Sequence, residues 1–427
     1  MNKNIRENLG IDLYELNNGM KVVFEQNKHL NSVTVGVWIK VGSRDEDEYN
    51  NGIAHMIEHM LFKGTTSMSA EELAIRTAII GGSLNAYTSK ENTEFYCRTL
   101  PSCLKEAISI LGDMICHSLI NEEDLEKEKG VVCEEIDMYK DSPEDSVHEV
   151  LQKKIWKAHP LGFLISGKKK NVRAFKANDL KEFMERYYTA DNMVVSVAGN
   201  FNKRETLVWI KESFADVFVN KKITAGAATN DGLITRKLNP QYTKTEFAKK
   251  KDIEQLHVNY AFEAPSYMEE ERYSAAILNA ILGGDVNSRL FQGIREKHGL
   301  TYSVYSYGSS FSDVGLMHIY AAMNPHQYDN VHELVTGIIN DLRQNGVKTN
   351  ELENAKKQTI VEMTLNRDST STVMSANAKN IMYNIPIIPF EERVAKLENV
   401  KRKDVNQIID KYLTLDNMSR GFIGPLD

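Results

Sequence analysis

The chain has 427 residues, 42% of them hydrophobic and only 9 proline, enough to bury large cores and to form two or three domains rather than one. Its formal net charge of −7 argues against nucleic-acid binding, which needs a basic face, and tolerates basic peptides as partners. Cys97, Cys103, Cys116 and Cys133 show no C-x-x-C spacing and read as reduced thiols of a cytoplasmic protein. Residues 1–10 are polar and no apolar run is long enough to span a bilayer, so neither a signal peptide nor a membrane anchor is expected.

In chain order, Asn18-Gly19 falls between apolar stretches ending at Leu16 and starting at Met20, a hairpin signal. Val33, Val35, Val37, Ile39 and Val41 alternate with Thr34, Gly36, Trp38 and Lys40, which predicts a strand with one buried face. Helical periodicity covers residues 52–62, 70–80, 104–117, 122–139 and 145–156, while 95–100 and 193–198 read as further strands. Helices running between non-adjacent strands predict an α+β sandwich, with helices on one side of an antiparallel or mixed sheet.

The chain also echoes itself. Tyr187-Tyr188-Thr189-Ala190-Asp191-Asn192-Met193 returns 225 residues later as Tyr412-Leu413-Thr414-Leu415-Asp416-Asn417-Met418, each copy leading into an apolar run that ends in glycine. Residues 57–64 align with residues 277–284 at an offset of 220. Two echoes in the same order at nearly the same offset imply two homologous domains, not a solenoid of short units. We place them at 1–220 and 243–427. The small and polar stretch 221–242, which includes Ala225 to Gly232 and then Pro240, is the expected linker.

Chemistry concentrates in His55-Met56-Ile57-Glu58-His59. Two histidines four apart on a helix project from one face and can share a metal, and Glu58 lies at the edge of that face. There it can act on a metal-bound water as general base without being a ligand. Composition predicts only about 0.04 chance occurrences of H-x-x-E-H in a chain like this. The bland alternative is a solvated helix face with incidental histidines, but Ile53, Ala54, Met56, Ile57, Met60, Leu61 and Phe62 are apolar and predict a well-packed helix.

A catalytic zinc needs a third protein ligand and an open position. The candidates are Glu126, Glu128, Glu134 and Glu135 on the helix at 122–139. Glu128 and Glu135 are seven apart and share a face, so one could ligate and the other support, and spacing does not choose between them. Under the 220 offset, His55, Glu58 and His59 fall on Ala275, Leu278 and Asn279, so the second half cannot bind metal there. His117, His148, His257, His318 and His332 have no ligand spacing, and Cys133 reads as packed.

H-x-x-E-H followed 76 residues later by Glu135 resembles the inverted-motif zinc peptidases, among them the mitochondrial processing peptidases, insulysin-type enzymes and their bacterial relatives. The similarity runs through nearly the whole chain and includes Gly81 to Thr88, His159-Pro160-Leu161-Gly162 and the two Asp-Asn-Met segments. The resemblance implies one zinc per chain on His55, His59 and Glu135, with Glu58 as base and Glu128 supporting the site. It implies that Ser83, Leu84, Asn85, Ala86, Tyr87 and Thr88 form an edge strand that takes the substrate as an added strand. Ser288 to Phe291 and Arg295 to Tyr302 resemble the family's second-half signature, which gives Arg295 a role in holding substrate and Tyr302 a role at the oxyanion. Two domains closing like a clamshell, peptide substrates and a homodimer complete the picture. The competing expectation is a non-catalytic scaffold subunit, which would normally lack a ligand or the base.

Overall fold

The computed structural model describes residues 10–157, 159–218 and 239–426, together with the backbone of residues 3–6. Most of the expected linker, residues 221–238, therefore lies outside the described residues. The chain forms two compact units. The first comprises Met1–Ile136, Phe163–Lys237 and Leu365–Ile388, and the second Asp137–Gly162, Leu238–Thr364 and Pro389–Asp427.

The first unit is built on a seven-stranded mixed sheet. Its strands are β1 (Lys3–Arg6), β2 (Ile11–Glu15), β3 (Lys21–Gln26), β4 (Val33–Ile39), β5 (Ser83–Thr88), β6 (Thr93–Thr99) and β7 (Met193–Gly199). They lie in the order β1-β2-β3-β7-β4-β6-β5, and only β3 and β7 pair in parallel. The predicted hairpin joins β2 to β3 through Leu16 and Gly19. Against one face pack α1 (Ile53–Met60), α2 (Ala70–Ile79), α3 (Leu104–His117) and α4 (Glu122–Asp141). Val33, Val35, Val37 and Ile39 of β4 meet Met56, Ile57, Ile108 and Leu111 in that core.

The other face of β4 is buried as well, so all seven of its residues are inaccessible. This corrects the reading of a strand with one buried face and of helices on one side only. The helix Thr370–Met382, from late in the chain, covers Thr34, Gly36 and Ser196. Thr34 Oγ1 bonds Thr370 Oγ1 at 2.7 Å, and Ser196 Oγ donates to the Met374 carbonyl at 2.8 Å. A Cβ on Gly36 would fall 2.4 Å from Met374 Sδ, so glycine there permits the helix to lie this close.

The second unit repeats the plan. β8 (Glu246–Lys250), β9 (Leu256–Ala264), β10 (Thr301–Ser310), β11 (Gly315–Met323) and β12 (Ser419–Gly424) lie in the order β10-β11-β9-β12-β8. Read from its other end this is β3-β7-β4-β6-β5 again, down to the single parallel pair, β8 with β12. The repeated Asp-Asn-Met segments form equivalent 3₁₀ turns, Ala190–Asn192 and Leu415–Asn417, that lead into β7 and β12. One face of this sheet packs Val258, Tyr260 and Phe262 against helices of the second half. The other is covered by α5 (Pro143–Ile155), whose Val147 and Leu151 meet Ala261, Leu316 and Ile423.

The two units thus do not coincide with a single cut between 220 and 243. Residues 137–162 from the first half complete the second unit, and residues 365–388 from the second half complete the first.

Candidate metal centre

Helix α1 is short and strongly two-faced. Ile53, Ala54, Met56, Ile57 and Met60 are buried in the core, which fixes the rotation of the helix and leaves His55, Glu58 and His59 on the opposite side. The two imidazoles stand edge to face, with ring centroids 4.7 Å apart. Helix α4 is anchored by Leu125, Val132, Cys133 and Ile136, and this brings Glu128 and Glu135 to the histidines. Glu135 Oε1 lies 3.6 Å from His55 Nε2, and its Oε2 lies 3.4 Å from His59 Nε2.

Among the described residues, His55, His59 and Glu135 are the one group of three or more potential ligands whose donor atoms all lie within 4.8 Å of one another. Ligand atoms placed about 2.0–2.2 Å from a tetrahedral zinc lie roughly 3.3–3.6 Å from each other. Two imidazole nitrogens and a carboxylate at these separations therefore fit that ion. Spacing left Glu128 and Glu135 equivalent, and the geometry separates them. Glu128 Oε2 sits 3.1 Å from His59 Nδ1, the ring nitrogen turned away from the cluster, and its Oε1 sits 2.6 Å from Lys63 Nζ. A carboxylate on the outer nitrogen fixes the tautomer that leaves Nε2 free to ligate. Glu134 is exposed, and Glu126 pairs with Lys129 at 2.5 Å.

Charge follows the same layout. Burial, and then the neighbouring His59, push His55 down to about 4, which keeps its imidazole neutral. Burial would depress His59 too, but the Glu135 and Glu128 carboxylates outweigh it and raise this group. Glu58 is raised by burial against the opposing hydrogen bond from Thr88, whose Oγ1 donates to Glu58 Oε2 at 2.5 Å. A base in such a setting is poised closer to neutral pH than an exposed carboxylate.

Strand β5 forms one edge of the first sheet among the described residues and pairs only with β6. Ser83, Asn85 and Tyr87 are exposed, Leu84 and Ala86 pack toward the core, and Thr88 ends the strand at Glu58. Arg295 and Tyr302 belong to the second unit. There the Arg295 guanidinium is stacked on Phe291 and Tyr302, 4.8 Å and 4.7 Å from the ring centroids, and Tyr302 is 78% exposed. Ala275, Leu278 and Asn279 sit on the helix Arg272–Asn279, with Leu278 buried in the core.

Sequence reasoning passed over three residues near the centre. Lys63 follows His59 by four and so carried a readable signal. Glu94, which pairs with Tyr87 across β5 and β6, is pushed up to about 7 by burial and then by Glu58, and nothing in its local pattern marked it. Glu46 lies outside every helix and had no spacing signal at all.

Comparison with known proteins places the chain in a family. A model for insulinase (peptidase family M16) matches residues 21–169, and one for the peptidase M16 inactive domain matches residues 174–359. An uncharacterized zinc protease of Bacillus subtilis, YmxG, is 38% identical over 95% of this chain and 96% of its own. The chain belongs to peptidase family M16. Another relative, an uncharacterized zinc protease of Streptomyces coelicolor, is 33% identical over 96% of this chain and 88% of its own. The fold is shared with a solved protease from Helicobacter pylori at a TM-score of 0.88 and 21% identity, covering 98% of this chain and 100% of that one. The inactive-domain match, residues 174–359, includes Ala275, Leu278 and Asn279, which stand at the offset positions of His55, Glu58 and His59.

Proposed function

We propose that this M16 protein is a zinc-dependent endopeptidase that hydrolyses unfolded peptides or presequence-like segments. The observation that carries the reading is the convergence of His55 Nε2, His59 Nε2 and Glu135 on one point, with the buried carboxylate of Glu58 on the same helix. Bound zinc, one per chain on His55, His59 and Glu135, would supply Lewis acidity and a water that is nucleophilic near neutral pH. Glu58 takes the proton of the attacking water and returns it to the leaving amine, and Thr88 fixes which oxygen does so. Glu128 keeps the His59 ring in the ligating tautomer.

The edge of β5, unpaired among the described residues, supports substrate binding as an added strand, in which main-chain hydrogen bonds give affinity with little dependence on sequence. To Arg295 we assign a hold on the substrate backbone or carboxylate, and to Tyr302 a hydrogen bond to the oxyanion, on their match to the family's second-half signature. A cytoplasmic homodimer is the working assembly. Among the described residues no helix is long and apolar enough to cross a membrane.

Hydrolysis of a quenched fluorescent peptide library, with and without chelator, tests the reading. Wild type should cleave, and both chelation and Glu58→Gln should abolish cleavage. A wild type that retains zinc yet cleaves nothing would return the protein to the scaffold class.

A further inference from the structure

Helix α1 starts at Gly52, which adopts a left-handed φ of 105° and offers no side chain to cap the helix. No capping residue can replace it. A Cβ there would fall 2.9 Å from Gly167 Cα and 3.0 Å from the Ser166 carbonyl, so the start of α1 is wedged against that turn. The first turn of the helix nevertheless carries His55, and its buried N–H groups, which have no partner within the helix, need an acceptor.

Glu46 supplies it from six to eight residues upstream. Its Oε2 accepts from the Gly52 N–H at 2.8 Å and from Asn51 Nδ2 at 2.8 Å, and its Oε1 accepts from the Ala54 N–H at 2.9 Å. Asn51 Nδ2 also donates to the Leu164 carbonyl at 2.8 Å, which fixes the amide that orients the carboxylate. Glu46 is only 4% exposed, and burial pushes it up to about 7 against these three donors. A carboxyl group held in so unfavourable a place, with both oxygens spent on one helix terminus, has a specific use for that terminus.

We infer that Glu46 is a positioning residue for the metal centre: it clamps the first turn of α1 and thereby holds His55 Nε2 at the point where His59 and Glu135 meet. His59 does not depend on it, because His59 sits one turn further on and is tied to Glu128. Loss of the clamp therefore misplaces one ligand of three while the helix body remains packed. This inference rests on the reading of His55, His59 and Glu135 as a zinc site.

The test measures zinc affinity of the full chain by competition with a chromophoric chelator, and kcat and KM separately on a peptide. Glu46→Gln keeps the shape but turns an amide N–H₂ toward backbone donors. It should weaken zinc binding on the order of tenfold, the usual scale for losing a helix cap, and lower kcat with KM within about twofold. A folded Glu46→Gln protein with wild-type zinc affinity and kcat overturns the inference, whatever its melting temperature. Should that variant fail to fold, Asn51→Ala removes the donor that orients the carboxylate and leaves Glu46 in place. A several-fold loss of zinc affinity supports the clamp, and an unchanged affinity sinks it. Because affinity is read without turnover, a wild type that binds zinc but cleaves nothing would remove the peptidase reading and leave this test intact.

Discussion

The contact most open to quantitative test is the relay from Lys63 through Glu128 to His59. Glu128→Gln keeps the side chain's size while it removes the charge that accepts from His59 Nδ1 at 3.1 Å. The Glu128 side chain is only 8% exposed, so water cannot readily take over that acceptor role. Loss of such an outer-shell partner costs about 10- to 100-fold in metal affinity, or roughly 1.4–2.7 kcal/mol. Lys63 is 35% exposed, so its own unpaired ammonium adds little to the penalty. Lys63→Met alone should give a smaller loss, because Glu128 can still reach His59 but is no longer held from its far oxygen. In the Glu128→Gln background Lys63→Met should then cost almost nothing, the non-additivity expected of residues acting in series. Competition against a chelator of known affinity at fixed pH measures all four proteins. A Glu128→Gln protein that binds zinc within twofold of wild type would refute the relay, and additive losses would refute the order of its links.

Three further outcomes follow from buried groups. Arg44 Nη1 pairs with Glu91 Oε1 at 2.8 Å, with side chains 0% and 5% exposed, so Arg44→Met should cost about 3–5 kcal/mol and lower the first unit's unfolding midpoint by roughly 6–20 °C. Lys379, whose charge acts on Glu91, favours the lower end, and Arg44→Met combined with Glu91→Leu should recover most of the loss in a thermal scan. In the second unit, burial holds His148 down to about 4 and His318 down to about 3, both below their unfolded value of 6.5. The unfolded chain therefore binds more protons as the pH falls below 6.5, and stability should drop by roughly 3 kcal/mol for His148 alone by pH 4. Amide exchange in β9 and β11 across that window reads the loss, and a His148→Gln protein with an undiminished slope would contradict it. Gly36→Ala should destabilise the first unit by about 1–3 kcal/mol through the clash with Met374, and shortening Met374 in the same chain should relieve part of it.

Local periodicity made much of this molecule readable. His55 and His59 could be placed on one face because a helix of known pitch and an apolar surround decide it, and the strands β4, β6 and β7 and helices α1 to α5 showed their own repeats. Readability ended where contacts join distant parts of the chain. Glu128 and Glu135 are indistinguishable by spacing, since residues seven apart share a helix face, and only the approach of α1 to α4 separates them. Thr34 and Gly36 looked like a solvent face because they are small or polar. They are instead the floor for a helix more than three hundred residues further on, and nothing near them says so. His148, His257 and His318 lacked ligand spacing, yet with Tyr305, Tyr307 and Tyr320 they form a hydrogen-bonded and stacked network under α5. Glu46 caps a helix from outside it, a relation no capping-box pattern describes.

The reciprocal loan of helices between the halves bears on how the protein comes into being. A ribosome that has released residues 1–220 has made every strand of the first sheet but not the helix Thr370–Met382 that roofs it. Until residues 370–382 emerge, Thr34, Gly36 and Ser196 lie bare, and until β9 and β11 emerge α5 has no sheet to rest on. The first unit is thus finished by a helix that emerges after most of the second sheet, and the duplicated halves cannot be separated into two self-sufficient proteins by cutting at the join. Two fragments divided there should be soluble only when made together, each completing the other, and the half that carries His55 and His59 would by itself be an unfinished sheet.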